Sequence, residues 1–391
     1  MQLADRLKPL QTNVFADMDR AKAQAQAAGK PIIDLSLGSS DLPTAPHVLA
    51  AIATALQDSS THGYSLFHST RPFRETAAAW YTQKFGVPVD PETEVLLLIG
   101  SQEGTAHLPL AVLNPGDFAL LTDPGYPSHA GGVHLANGQI YTMPLLAENQ
   151  FLPDFAAIPS VVLAQARMMV LSYPHNPTTA QASLAFWQEA VAFCQQHDLV
   201  LVHDFPYGDV TYTGQPAPSV LQADRDKSVS VEFFSMSKSY NMGGFRVGYA
   251  IGNATLIQAL RQIKANVDFN QYRGIVQGAI AALSGPQDLV QHTIDTFRQR
   301  RDAFVAALES AGWQVSKPNA TQYLWLKLPE PWAADSIAFC VKLVEATGVA
   351  LAPGRGFGKH GEGYVRVALV QEIPTLLSAV EKLVGFLAER R

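Results

Sequence analysis

A lysine flanked by hydroxyls, with an arginine eight positions further on, is the stretch of this sequence best equipped for chemistry. Ser235-Met236-Ser237-Lys238-Ser239 follows the apolar pair Phe233-Phe234, and Arg246 comes after Gly243-Gly244. Burying an unpaired ammonium is costly, so a lysine that closes an apolar run needs either solvent or a task. Forming a Schiff base with a carbonyl compound is such a task, and the hydroxyls with Arg246 then suit a phosphate. Taken alone, the same spacing fits a solvated loop lysine.

Four further segments carry polar or aromatic groups directly after apolar runs. Gly100-Ser101-Gln102-Glu103-Gly104 opens a helical pattern, where free backbone N–H groups and a hydroxyl can face an anion, although a plain capped helix reads the same way. Asp123-Pro124-Gly125-Tyr126-Pro127 contains a turn that can present the Tyr126 ring to a flat ligand or pack it away. In Tyr173-Pro174-His175-Asn176-Pro177-Thr178 the two prolines stiffen the backbone around Asn176, whose amide can then donate to a ligand oxygen. Asp204-Phe205-Pro206-Tyr207 places an acid at the end of a buried run, where a protonated ring nitrogen would be a fitting partner, and a phenol three residues on.

These residues need elements to hold them. Apolar runs at 95–99, 118–122, 168–172, 199–203, 231–235 and 247–251 are expected to be strands. Several are apolar throughout, as in a mainly parallel sheet covered by helices on both faces. Helical patterns lie between them at 105–113, 184–197 and 254–265, and ligands of such α/β sheets bind at the carboxyl ends of the strands. After Gly285-Pro286 the pattern changes to a long helix at 287–310, strands near 323–328, Val349 and Val365, and helices after Ala333 and Ile373. The expected organisation is a large domain at 47–285 and a smaller α+β domain at 286–391, joined by the N-terminal segment 1–46. Leu3, Leu7, Leu10, Val14 and Met18 recur at helical spacing, predicting one amphipathic helix.

Composition excludes several classes. The 391 residues, 47% hydrophobic and 16% charged, suit a compact soluble protein, and a net charge of -6 offers no basic surface for nucleic acid or membrane. Cys194 and Cys340 lie in apolar helical patterns without metal-ligand spacing, so no metal site is expected and a reducing cytoplasm suits them. The N-terminal stretch has acid and base early and no apolar core for secretion or membrane spanning. Without Gly-x-Gly-x-x-Gly after a strand, a nicotinamide enzyme is not indicated.

Together the segments supply an aldehyde-capturing amine, an anion cup, a ring-stacking face, a counter-ion for a ring nitrogen and donors to a ring oxygen, which is what pyridoxal 5'-phosphate requires. Over nearly its whole length the chain resembles a fold-type I, class I/II aminotransferase. The resemblance rests on the order Tyr64, Gly100-Ser101-Gln102-Glu103-Gly104, Asp123-Pro124-Gly125-Tyr126-Pro127, Asn176-Pro177-Thr178, Asp204-x-x-Tyr207, Ser235-x-Ser237-Lys238, Arg246 and Tyr364-x-Arg366. The wording at Gly100–His107 and Asn114–Pro127 is similar to the bacterial branch with LL-diaminopimelate, alanine and aspartate aminotransferases.

The resemblance implies a pyridoxal phosphate enzyme in which Lys238 binds the cofactor aldehyde and Asp204 pairs with its ring nitrogen. It further implies Asn176 and Tyr207 on the ring oxygen and Tyr126 on the ring face. Ser101, Gln102, Ser235 and Arg246 would hold the phosphate, and Arg366 with the Gly38 N–H the substrate carboxylate, with Asn176 also on the substrate side. It implies a homodimer, with Tyr64 reaching the neighbouring copy's phosphate. Many relatives have a glycine five residues after that tyrosine, and here Ser69 stands there. The implied reaction moves an amino group between an L-amino acid of LL-diaminopimelate, alanine or aspartate type and a 2-keto acid, 2-oxoglutarate or pyruvate, in ping-pong fashion; a carbon–sulfur β-lyase or other α-carbon chemistry is the alternative on the same fold. A cofactor-sensing transcription regulator would need a DNA-binding module that this sequence does not display. Ser39, Phe67, Tyr126 and the segment Asp268-Phe269-Asn270-Gln271-Tyr272-Arg273 are candidates for the substrate pocket. Arg273 could meet a distal carboxylate, cap a helix or sit in solvent.

Overall fold

Short apolar runs broken by turn residues become strands, and the computed structural model describes residues 3–11 and 16–389. In chain order the strands are β1 (Ile33–Asp34), β2 (Val95–Leu98), β3 (Phe118–Asp123), β4 (Gln139–Pro144), β5 (Ala166–Leu171), β6 (Val200–Asp204) and β7 (Ser230–Ser235). They continue as β8 (Gly248–Gly252), β9 (Tyr323–Lys327), β10 (Val349–Ala350), β11 (Ala352–Pro353) and β12 (Tyr364–Ala368). Seven form one sheet in the order β2-β8-β7-β6-β5-β3-β4. From β4 to β7 neighbours run parallel, whereas β8 is antiparallel to both β2 and β7.

Alternation along these strands sends residues to two apolar layers. Leu97, Leu201 and Phe234 enter a core with Phe73, Tyr81, Trp187 and Tyr249. Leu96, Leu98, Val202 and Phe233 face the other way, toward Leu108 and Leu260 of the covering helices. Such two-sided burial explains why the runs are apolar throughout. A third cluster joins Met18 and Leu35 to Phe297 and Phe304 of the long helix Asp288–Ser310, to β9 and β12, and to Leu383 of the helix Ile373–Ala388. There β1 pairs with β10, and β11-β12-β9 forms an antiparallel sheet.

All six expected strands of the large sheet are present within two residues, but β4 carries no clear sequence signal. It lies at the sheet edge with most of its side chains at least partly exposed, so it has no continuous apolar run. The helix expected from 105 begins at Ser101, because Gly100, at φ 80, turns the chain directly out of β2. The single N-terminal helix is a misreading. Asp5–Leu7 and Pro9–Gln11 are separate 3-10 turns, and the α-helix runs from Ala16 to Ala27. Pro9 has no N–H for a helical bond, and Leu3, Leu7 and Leu10 are exposed; Val14 lies outside the described residues. Both cysteines are buried free thiols. Among the described residues no helix is long and apolar enough to cross a membrane.

One ion pair ties the segment between β1 and the helix Pro46–Gln57 to the third cluster. Arg300, 1% exposed, bonds both Asp41 oxygens at 2.7 Å and the Leu369 carbonyl at 3.2 Å. A lysine cannot copy that fork. Arg300→Lys is therefore expected to cost about 1.5–3 kcal/mol, the scale of lost hydrogen bonds to a charged group. A fall in the urea midpoint at unchanged slope is the measurement that checks it.

Candidate active site

The chemically equipped segments converge at the carboxyl edge of the parallel strands, where a cavity of about 560 Å³ opens. Ser101 and Gln102 follow β2, Tyr126 follows β3, Asn176 follows β5, and Asp204 with Tyr207 ends β6. Ser235 ends β7, and Lys238 sits in the single helical turn Met236–Ser239. Because β8 is antiparallel, its starting end lies at this same edge, so Arg246 just before it faces the cavity as well. A wider groove of about 1040 Å³ lies elsewhere, along Trp80, Lys84, Tyr212 and Arg298. Its Lys84 and Asp209 are already paired with each other, so chemistry and not size selects the smaller cavity.

The anion end is built from close backbone approaches. A Cβ on Gly100 would stand 2.5 Å from the Arg246 guanidinium, and one on Gly248 would stand 2.5 Å from the Ser101 nitrogen. Glycine at both places lets the arginine and the helix start of Ser101–Val112 share one small space. Arg246 holds a left-handed backbone (φ 54) and its Nη1 donates to the Gly243 carbonyl at 3.0 Å. The Ser235 hydroxyl caps the short helix by accepting from the Ser237 N–H at 3.2 Å.

At the centre, Asp204 is 5% exposed. Its Oδ2 meets His129 Nε2 at 3.0 Å, while Oδ1 is buried without a partner. A buried carboxylate oxygen with nothing bound to it is costly, and a cationic N–H from a ligand in the cavity would satisfy it. Lys238 donates to the Gly38 carbonyl at 2.5 Å and lies 5.7 Å over the Tyr207 ring. The Tyr207 and Tyr323 hydroxyls are 2.8 Å apart. Burial pushes the Tyr207 phenol well up, with the hydrogen bond to Tyr323 adding to it. Burial also acts against ionisation of Tyr323, but the nearby Lys238 and Arg366 charges bring that phenol below its ordinary value. Either hydroxyl of this pair can donate to the other.

At the other end Arg366, 7% exposed, lies between aromatic faces, its guanidinium carbon 4.4 Å from the Tyr323 centroid and 4.7 Å from that of Phe357. Nη1 donates to Asn176 Oδ1 at 2.8 Å and Nη2 to the Ser36 carbonyl at 2.7 Å; Nε is buried with no partner. Because its oxygen faces the cation, Asn176 has its amide N–H groups to offer elsewhere. Gly38 is present through its carbonyl, which also accepts from Gln322 Nε2 at 2.8 Å. A side chain there would strike Tyr323, since a Cβ would fall 1.8 Å from its hydroxyl.

Not every sequence candidate meets here. Tyr64 is 90% exposed and away from the cavity of this single chain. Ser39 and Tyr126 line the cavity, but Phe67 packs edge-on against Phe269 instead. Arg273 donates to the Ser60 carbonyl, off the cavity. Sequence reasoning missed Tyr323, Phe357 and His129. The last stands three residues after Tyr126 in the first turn of the helix Pro127–Leu135, a place from which a side chain can point back at the strand ends.

Known proteins resemble this chain over nearly its whole length. The family model for aminotransferase class I and II matches residues 30–383. An LL-diaminopimelate aminotransferase of Moorella thermoacetica is 42% identical over 383 residues, covering 98% of each chain. A substrate-bound BacF structure from Bacillus subtilis superposes with a TM-score of 0.93 at 36% identity, over 99% of this chain and 98% of that one. A probable N-succinyldiaminopimelate aminotransferase from Thermus thermophilus gives 0.90 at 43% identity, over 95% and 99%.

His175, beside Asn176, generates a pH prediction. Its Nδ1 takes the Thr178 N–H at 3.3 Å, and complete burial pushes the imidazole down to about 3 from an ordinary 6.5. Between those values the unfolded chain binds a proton that the folded protein refuses. Stability from this group is therefore lost as pH falls below 6.5, at up to about 1.4 kcal/mol per pH unit. Thermal unfolding from pH 6.5 down to 4 should show a shallower decline in His175→Asn than in the parent protein.

Proposed function

Because this chain belongs to the class I and II aminotransferases, an enzyme family that transfers amino groups, we propose that its cavity binds pyridoxal 5'-phosphate and exchanges an L-amino acid with a 2-keto acid. The observation that carries this is the pairing, in one cavity, of Lys238 with a buried and unpartnered Asp204 oxygen. The relatives' names suggest the donor, LL-diaminopimelate; the proposed acceptor is 2-oxoglutarate or pyruvate.

The residues fit the group. Ser101, the Gln102 amide, Ser235 and Arg246 would hold its phosphate, Tyr126 its ring face, and Asn176 with Tyr207 its ring oxygen. Pyridoxal phosphate, when bound, supplies an aldehyde for the amino group and a ring that accepts the electron pair left on the substrate α-carbon. Asp204 Oδ1 keeps a proton on the ring nitrogen, since an adjacent opposite charge favours the charged form, and His129 fixes the carboxylate from behind. A phenol has one proton to give, so when Tyr207 donates to the ring oxygen, Tyr323 becomes the donor toward Tyr207. Lys238 Nζ takes the α-proton from the substrate and returns it as general base and acid in turn. Arg366 clamps the carboxylate that amino acid and keto acid share, with Gly38 alongside.

The same proposal divides the chain into a cofactor domain at 47–285 and a smaller domain formed by 1–46 and 286–391. It also makes the working enzyme a homodimer: a second copy would cover Tyr64, Leu37 and Leu66, which are exposed in the single chain, and receive Tyr64 at its phosphate.

Borohydride treatment of the loaded protein should fix the cofactor on the peptide containing Lys238. The aminated enzyme should be returned to its aldehyde-loaded form by 2-oxoglutarate, with LL-diaminopimelate outperforming alanine and aspartate as donor. If no 2-keto acid does so, a carbon–sulfur lyase takes the place of this assignment.

Two substitutions divide the roles. Asp204→Ala should retain cofactor but lose at least about a hundredfold in half-reaction rate, the scale of a missing electrostatic stabiliser. Arg366→Lys should raise the concentration required of amino acid and keto acid alike, because lysine lacks the bidentate fork, while the protein still takes up its cofactor.

A further inference from the structure

Lys264, unlike the half-buried Lys238, is placed where solvent cannot reach it, and nothing in the reaction uses it. It projects from the helix Ala254–Val267 with 0% exposure, and its ammonium bonds both oxygens of Glu103, at 2.9 and 3.0 Å. Asp268 Oδ1 lies 3.4 Å from the same nitrogen. Glu103 stands in the first turn of the helix Ser101–Val112, whose free N–H groups face the anion end of the cavity. Its Oε2 also accepts the Ile99 N–H at 2.5 Å, across the Gly100 turn. His107, one helical turn on, approaches Glu103 no closer than 3.9 Å, and burial holds its imidazole toward the neutral form. Glu103, His107 and Asp268 converge closely enough to ligate a metal ion, but the Lys264 ammonium already sits among them.

A buried ion pair is poor evidence for stability, since desolvation offsets most of its attraction. Position gives this pair another consequence. A carboxylate in the first turn of a helix competes with a bound anion for the same N–H groups and the same positive dipole end. Burial pushes the Glu103 carboxyl up to about 7 even with the Lys264 ammonium beside it. Without that ammonium, Glu103 either takes up a proton and loosens its hold on the Ile99 N–H or, where it stays ionised, repels a phosphate at Ser101 and Gln102. We propose that Lys264 is a positioning residue for the phosphate cup: it cancels the Glu103 charge and holds that carboxylate on the Ile99 N–H, so the Ile99–Ser101 turn presents its amides to the anion. The helix carrying Lys264 leads into the segment that reinforces the same edge, where Gln271 Nε2 donates to the Leu98 carbonyl at 3.0 Å.

The inference rests on the cofactor assignment above, and the experiment separates the two. Apoprotein is titrated by fluorescence with pyridoxal 5'-phosphate and with pyridoxal; the aldehyde is common to both, so the affinity ratio isolates the phosphate. A parent protein with no preference for the phosphorylated form would sink the cup assignment itself. Given a preference, Lys264→Met should reduce it by about tenfold or more, the scale of one lost hydrogen bond to a charged group. The neutral pair Glu103→Gln/Lys264→Met should recover most of it, because glutamine still accepts the Ile99 N–H without a charge. Glu103→Leu/Lys264→Met removes that acceptor and should not recover it, a comparison that stands even where the single variant does not fold. Equal weakening of both ligands in Lys264→Met, or equal ratios in the two double variants, overturns the proposal.

Discussion

The guanidinium of Arg366 is the point on which four other parts of the chain, near and far, must agree. Ser36 reaches it from 330 positions away and Asn176 from 190, while Tyr323 and Phe357 close over its two faces. A planar cation held at both ends and between two rings has one orientation left. That orientation decides which way the Asn176 amide points, a choice that side-chain shape alone does not make. The constraint continues outward: Asp34 accepts from the Ser36 N–H at 2.9 Å and from its hydroxyl at 2.6 Å, and Lys22 bonds Asp34 at 3.2 Å. The helix Ala16–Ala27 is thereby linked to the far end of the cavity.

Behind the site a second polar network lies within the sheet. His203 meets Glu232 at 2.7 Å and the Tyr173 carbonyl at 2.9 Å, and Glu232 also takes the Ser219 hydroxyl and the Val220 N–H. Two acceptors flank the His203 ring and several donors surround Glu232, so each buried polar atom has a use. Strand alternation puts Asp204 on the opposite side of β6 from His203. The network thus braces the end of the strand that presents Asp204, without entering the cavity.

Much of the site was legible because its residues follow strong local signals. Lys238, Asp204 and Asn176 each follow an apolar run, and in a parallel sheet that address is a place in space; Arg246 immediately precedes one, the run of antiparallel β8. The rest depended on contacts with no local signature. Tyr323 begins a strand of the smaller sheet and looks like core until its hydroxyl is found against Tyr207. His129 reads as an ordinary helix residue until Asp204 is found 3.0 Å away. The edge strand β4 and the exposed leucines before residue 11 failed for the complementary reason: half-exposed segments show weak or misleading periodicity, and Pro9 overrode the helical spacing of its neighbours.

The antiparallel course of β8 has a consequence for how such a site can be altered. Since β7 runs toward the cavity edge and β8 runs away from it, everything from Ser235 to Gly248 forms one reversal of the chain, and it contains both Lys238 and Arg246. The amine and one of the cations for the anion are therefore carried by a single hairpin, whereas Asp204, Asn176 and Tyr126 each arrive on a separate crossover. Length changes inside that reversal move two functional groups together and leave the parallel strands in register. Recombination between related chains could exchange the hairpin as one cassette, with seams in β7 and β8 where Phe233, Phe234 and Tyr249 must match the cores on the two faces.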